Sequence, residues 1–363
     1  MHSLPWIRLL FHRLHGAQVK TLAFCIDALL GAQDVRLAEM AREAAFQNEG
    51  QVRYTLKRIH RFLRNEKFSD SMVTVGLAEW LWPRFQAWKH IPISIDWTHN
   101  EKRDRWTTLA ASVSLGGRGI PIMMWSYRKA SYDKHLSRNQ CEEAFIEHLM
   151  RILPDDDRII FVADRGFARV DFFEWLSERG FNFLIRVPRT AKVDSSRYKG
   201  SLAKLVVANG ECYSLGKTRY TEKGYWVAPQ LVVARENQVL DPDPWLLITS
   251  LPYRATTLTK LYARRMIIEE DFREAKSRLD WSDSRIRTLA HYRRLTTLVT
   301  IALVFATLVG RVARRRPTLA GRVARRRKGR WDHGCTALGL ALLRRELHHL
   351  RLLHQTKLPA QPV

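Results

Sequence analysis

The chain has 363 residues, enough for one large domain or two smaller ones, and its 46% hydrophobic content excludes general disorder. Its 61 Lys and Arg against 36 Asp and Glu give a formal net charge of +25, an excess that a polyanion would relieve and that points to nucleic acid. Four widely spaced cysteines without a C-x-x-C pair exclude a zinc ribbon and suggest a reducing compartment.

Residues 1–88 are expected to be a helical DNA-binding region. "DVRLAEMAREAAF" repeats apolar residues at Val35, Leu37, Met40, Ala44 and Ala45, and "QVRYTLKRIHRFLRN" does so at Val52, Leu56, Ile59 and Leu63. Arg53, Lys57, Arg58, Arg61 and Arg64 then make a basic outer face. A solvated face on a structural helix pair is the alternative, and no recognition helix can be placed.

From "HIPISIDWTHN" the pattern changes. Ile91, Ile93 and Ile95 alternate, predicting a strand that ends near Asp96. "TTLAASVSLGGRGIPIMMWSYRK" predicts a hairpin turning at "GGRG", and "NQCEEAFIEHLMRIL" a helix. "RIIFVADRG" predicts a buried strand ending at Asp164, "VDFFEWLSERG" a helix stopped by Gly180, and "FNFLIRVP" a further strand. That order suggests a mixed α/β sheet with covering helices. Residues of about 189–252 read as a β-rich insertion of short strands, after which helix resumes near Thr257.

Asp96 and Asp164 both fall where an apolar strand stops, where rigid carboxylates can face one crevice. With a helical Glu they would suit a hard divalent ion and phosphodiester chemistry. "LYARRMIIEEDFREAKSRLDW", from Leu261 to Trp281, offers several acids. At about 100° per residue Tyr262, Arg265, Glu269 and Lys276 share an arc of roughly 60° beside the apolar face of Leu261, Ile268, Phe272, Ala275 and Leu279. Glu269 is therefore expected at the crevice, with Glu270 and Asp271 pointing away from the core. An ordinary i, i+4 ion pair of Arg265 with Glu269 is the plain alternative. Asp155 to Asp157 are expected to be solvated, and His99 to be an exposed residue at a strand end.

The longest apolar run, from Thr296 to Gly310, is about 15 residues, short of the roughly 20 that span a bilayer, and is expected to be a buried core helix. No signal peptide or lipidation motif is seen, so no membrane role is expected. In the tail, GRVARRR occurs at 310–316 and again at 321–327, either as a basic arm on phosphates or as a tolerated duplication.

Tyr262, Arg265, Glu269 and Lys276 fit Y-x2-R-x3-E-x6-K. With Asp96 and Thr98 in "SIDWTHN" and Asp164 in "FVADRGF", the chain resembles the DDE transposases of bacterial insertion sequences. The likeness is to the YREK-signature family of the insertion-sequence-four type. The resemblance implies an α/β, ribonuclease H-like catalytic domain over 89–310, after the helical region, with a basic helical tail at 311–363 for dimerisation or DNA contact. It implies metal-dependent cleavage and strand transfer at transposon ends, in cut-and-paste transposition that relatives carry through a DNA hairpin. Asp96, Asp164 and Glu269 would be the catalytic ligands of a two-metal Mg²⁺ site, with Mn²⁺ as substitute. Tyr262, Arg265, Lys276 and Arg165 would grip DNA phosphates, and Trp245 would stack on a flipped base or, alternatively, open a core strand. The implied partners are terminal inverted repeats and target DNA, with a homodimer in a synaptic complex in the bacterial cytoplasm. A catalytically inactive DNA-binding element protein and another ribonuclease H-like nuclease remain the alternatives.

Overall fold

The computed structural model describes residues 1–99, 105–115, 117–129, 137–220, 226–235, 243–324, 326–327, 330–331, 334–347 and 349–350. Gly116 of the expected turn, Arg325 of the second GRVARRR and residues 351–363 of the expected tail lie outside them.

Five helices open the chain: α1 (Leu4–Leu10), α2 (Gly16–Ala32), α3 (Leu37–Gln47), α4 (Val52–Arg64) and α5 (Asp70–Leu81). Strands β1 (Ile91–His99), β2 (Trp106–Ser114) and β3 (Gly119–Arg128) follow, then helix α6 (Arg138–Ile152), β4 (Ile159–Ala163), helix α7 (Val170–Glu178) and β5 (Asn182–Arg186). Next come β6 (Lys192–Ser195), β7 (Lys199–Ser201), β8 (Cys212–Tyr220), β9 (Trp226–Ala234) and β10 (Trp245–Thr249). Helices α8 (Ala255–Ala263), α9 (Met266–Arg278), α10 (Leu289–Arg314), α11 (Pro317–Ala320) and α12 (Cys335–Arg345) complete the described order, apart from a two-residue strand pair at 326–327 and 330–331.

The chain forms two compact units, one of Met1–Ala87, Trp97–Pro154 and Ile268–Val363, the other of Trp88–Asp96 and Asp155–Ile267. In the first unit helices dominate. Buried Thr55, Ile59, Phe62 and Leu63 recur at helical spacing along α4 and set its inner face. Val52 was expected on that face but is exposed, because the α3–α4 turn leaves the first turn of α4 in solvent. Arg58, expected on the outer face, instead lays its guanidinium 4.0 Å over the Phe24 ring. Ser137 and Gln140 form a capping box that starts α6, and β2 and β3 form the expected antiparallel hairpin.

In α10, 26 residues long, Tyr292 and nearly every residue from Arg294 to Ala313 are buried. It is long and apolar enough to cross a bilayer, but 89% of its most apolar window is covered by protein. A core helix can be apolar all round because every face meets protein.

The second unit carries the sheet. Its strand order is β1, β4, β5, β10, β9, β8, β6, β7, parallel over the first three and antiparallel thereafter. Strand β4, "IIFVA", is buried at every position, the mark of a parallel strand covered on both faces. The short strands expected as an insertion extend this same sheet, since β10 pairs with both β5 and β9. Helix α8 covers one face, where Leu258, Leu261 and Tyr262 pack on Ile160, Val162, Leu184, Val232 and Leu247. The fold is mixed α/β.

Two local expectations change. Strand β1 runs past Asp96 to His99, because Trp97 and Thr98 are themselves buried and keep the chain extended. The helix expected from Leu261 to Trp281 is two helices, broken at Arg264 and Arg265. There Arg265 N–H bonds the Tyr262 carbonyl at 2.8 Å, a tight i, i+3 link that ends α8.

Candidate active site

The site grows where the parallel strand pairing stops. Parallel pairing of β1 with β4 stops at Ile95 opposite Ala163, and pairing of β4 with β5 stops at Ala163 opposite Ile185. Asp96, Asp164 and Arg186 are therefore the next residues on three adjacent strands, about 5 Å apart from strand to strand. Arg186 was missed in the sequence, although "FNFLIRVP" places it directly after an apolar strand run, as the two acids are placed; only register reveals the coincidence.

Each carboxylate is oriented by a local bond. Asp164 Oδ1 accepts from Gly166 N–H at 2.8 Å, capping the short turn Arg165–Phe167. Asp96 Oδ2 accepts from Arg265 Nη1 at 2.9 Å, and the Arg265 side chain is only 8% exposed. The break after α8 makes this possible, because Arg265 leaves the helical path at the level of the strand ends. A low-polarity setting strengthens a charge-assisted bond of this kind.

Tyr262 lies beneath, 2% exposed, so its hydroxyl is reached from within the protein. Burial holds its phenol above the usual tyrosine range, while Arg265 and Arg186 pull it down and Asp164 pushes it up. That ordering brings Tyr262, Arg265, Arg186 and Asp164 into one electrostatic neighbourhood. Trp245, the half-buried first residue of β10, meets the Tyr262 ring edge-on at a centroid separation of 5.1 Å. Arg165 is exposed directly after Asp164.

The remaining signature residues stand on α9. Glu269 is exposed in its first turn. Lys276 lines a narrow crevice with Thr98 and His99, two and three residues beyond Asp96 along the chain. His99 is exposed at the end of β1, as expected.

The other acids of α9 are engaged elsewhere: Glu270 pairs with Arg118 and Arg273, and Glu274 with Arg278. Asp271 overturns its expectation, being fully buried beside Ser112 and Arg118, with its carboxyl pushed up by burial to about 7. At about 100° per residue it falls only about 40° outside the apolar arc, on the side opposite Glu269, so the core takes it in. Of the Asp155 to Asp157 run, Asp156 is not solvated, because its carboxylate accepts from the Arg158 guanidinium at 2.8 Å.

Asp96 and Asp164 offer hard oxygen donors, the chemistry a divalent ion of the Mg²⁺ class prefers. The Arg265 guanidinium already neutralises part of the Asp96 charge, so an ion there would share that carboxylate with Arg265. Among the described residues no group of three His, Cys, Asp or Glu side chains gathers at metal-binding distance.

A protein-family model described as "Transposase DDE domain" matches residues 123–305, just over half of the chain. The matched span includes Asp164, Trp245, Tyr262, Arg265, Glu269 and Lys276 and begins after Asp96. No curated protein matches the sequence.

Proposed function

The chain belongs to the transposases that carry a DDE domain, and on that premise we propose that it cuts and joins DNA at the ends of a transposable element of the YREK type. Domains of this family generally use divalent metals, and the enzyme acts on DNA. The finer reading is carried by one observation: the signature residue Arg265 is hydrogen-bonded to Asp96, which shares its level in the sheet with Asp164. A signature spacing met by chance has no reason to bring Arg265 onto Asp96.

In this reading the catalytic domain is ribonuclease H-like, supported by the parallel strands β1, β4 and β5 and by the antiparallel hairpin of β2 and β3. Asp96, Asp164 and Glu269 would hold Mg²⁺ in a two-metal arrangement, with Mn²⁺ as a substitute. When bound, such ions activate the attacking oxygen and stabilise the leaving oxygen of an in-line phosphoryl transfer. The protein's own groups do the rest. Arg265 orients Asp96, and Gly166 N–H orients Asp164. Arg165 and Lys276 take backbone phosphates, where guanidinium and ammonium donors position DNA without reading its sequence. Tyr262 supports Arg265 from below. Trp245 would offer an aromatic face on which a base extruded at a hairpin end stacks. A homodimer would hold two terminal inverted repeats together.

The test is an end-cleavage assay on linear DNA carrying the flanking inverted repeats, with Mg²⁺, resolved on a denaturing gel. Asp96→Ala, Asp164→Ala and Glu269→Ala are expected to lose cleavage while retaining DNA binding. Wild-type cleavage by Glu269→Ala would overturn the assignment, and binding without any cut by the unaltered protein would leave a DNA-binding element protein.

A further inference from the structure

Helices α3 and α4 and the segment entering α10 enclose a cleft of about 660 Å³, wholly within the first unit. Its walls are apolar, built by Val35, Leu37, Leu56, Leu63 and Ile286. Its polar groups are almost all cationic or ionisable to cations. Arg64, Arg285 and Arg287 are exposed along it, with His60 and His291 half-buried between them.

Pairing separates these cations from ordinary surface charge. Arg36 and Arg42, which also line the cleft, are neutralised by Asp34 and Glu39. Among the described residues Arg64, Arg285 and Arg287 form no ion pair with a carboxylate. Uncompensated like charges in one concavity repel, and the effect registers on His291. Its pKa is held below the usual histidine value first by burial, then by Arg294, Arg64 and His60. A cleft arranged this way awaits an anion.

Two further features suit a phosphodiester chain rather than a small ion. The first is α10, whose first residue follows Thr288 at the cleft. Thr288, the N-cap of this 26-residue helix, makes no side-chain capping bond to the first-turn N–H groups. A helix N-terminus of that kind carries partial positive charge and donors suited to phosphate oxygens. The second is the face of α4. At about 100° per residue Arg53, Lys57, His60 and Arg64 fall within an arc of roughly 60°, a cationic stripe beside the wall residue Leu56. A stripe longer than the cleft fits an extended polyanion, and apolar walls fit the deoxyribose between phosphates.

We propose that this cleft and the α4 stripe are a docking groove for one sugar-phosphate strand of duplex DNA, gripped by Arg64, Arg285, Arg287 and the N-terminus of α10. The proposal rests on the transposase reading for the identity of the polyanion, and it adds a seat for DNA that involves none of the candidate catalytic residues. Contacts of this type set affinity and register, not sequence choice.

The test uses the full chain, a mixed-sequence DNA duplex and EDTA, so that cleavage plays no part. Affinity is followed by fluorescence anisotropy from about 50 to 200 mM salt, where each phosphate contact steepens the log–log slope by about 0.9. Arg285→Ala/Arg287→Ala should shallow the slope by about 2, and Arg64→Ala by about 1. The control is Arg8→Ala/Lys20→Ala, which removes equal charge from exposed residues of α1 and α2 and should change it little. Both Arg285 and Arg287 are surface residues, and an unchanged thermal melt confirms that their variant folds. A slope unaltered in the groove variants, or altered equally in the control, overturns the groove. If the protein still cuts DNA in Mg²⁺, that failure leaves the catalytic reading intact; a chain that binds no duplex at all overturns both.

Discussion

Asp96 and Arg265 stand 169 residues apart in sequence and 2.9 Å apart in space. Both side chains are mostly withdrawn from water, at 16% and 8% exposure, so their pairing is screened less than a surface ion pair. Removing the guanidinium should leave a largely desolvated carboxylate without its donor. Arg265→Ala is therefore expected to lose about 2 kcal/mol in urea unfolding. The partner variant Asp96→Asn provides a double-mutant cycle: effects of Arg265→Ala and Asp96→Asn that simply add would show no coupling. Arg265→Lys should restore stability only in part, because an ammonium lacks the planar fork that reaches from the turn to Oδ2. The signature spacing singled out Arg265 and Glu269, yet it could not show that Arg265 serves Asp96. It also assigned Asp271 to solvent, since a wheel drawn on one helix does not record what the neighbouring strand offers on its far side.

At the scale of elements, one heptapeptide adopts two structures. The first GRVARRR closes α10, and its Gly310 lies at the crossing with α12. A Cβ there would fall 1.7 Å from the Cys335 carbonyl oxygen, and one on Gly339 would fall 1.8 Å from that of Ala306. The backbones approach so closely that only glycine fits either position. The second copy begins at exposed Gly321, in a turn after α11, where the nearest atom to a Cβ is the Pro317 carbonyl oxygen at 3.0 Å. Gly310→Ala is expected to cost about 3 kcal/mol through forced separation of the helices, and Gly321→Ala less than about 0.5. Matching melting temperatures for the two variants would contradict the crossing. Neither copy announced its role, because the same local sequence met different neighbours. The elements themselves were largely legible, since alternation in β1 and helical spacing in α4 and α6 are properties of the segment alone. The break at Arg264 and Arg265 was not, because no Gly or Pro marks it and the apolar pattern continues across it.

The whole molecule balances buried ionisable groups against its global stability, and Asp271 is the clearest case. Its carboxyl is pushed up to about 7 by burial, offset by a Ser112 hydrogen bond and by Arg118, with Glu274 adding to the rise. The unfolded chain releases that proton near pH 4. Between pH 4 and pH 7 the folded state thus holds a proton that the unfolded state has lost, so this group's contribution to stability falls as pH rises and levels off above 7. Asp271→Asn should melt higher than the unaltered protein at pH 8 and equally at pH 4. A constant difference between the two across that range would show that the carboxyl does not titrate as described. The formal charge of +25 acts at the same scale, as self-repulsion that bound DNA would relieve.

Sequence alone determined that Asp96 and Asp164 follow apolar strand segments, the spacing of Tyr262, Arg265, Glu269 and Lys276, the apolar character of α10 and the net positive charge. Each of those follows from spacing, composition or charge within a short window. Tertiary structure decided that the parallel pairing of β1, β4 and β5 stops at one level, which sets Arg186 beside Asp164 and lets Arg265 reach Asp96. It also placed Asp271 in the core and gave Gly310 a helix to meet. Those outcomes depend on strand register and helix packing between segments far apart in the chain, and such pairings are chosen cooperatively by the whole core rather than by any segment within it.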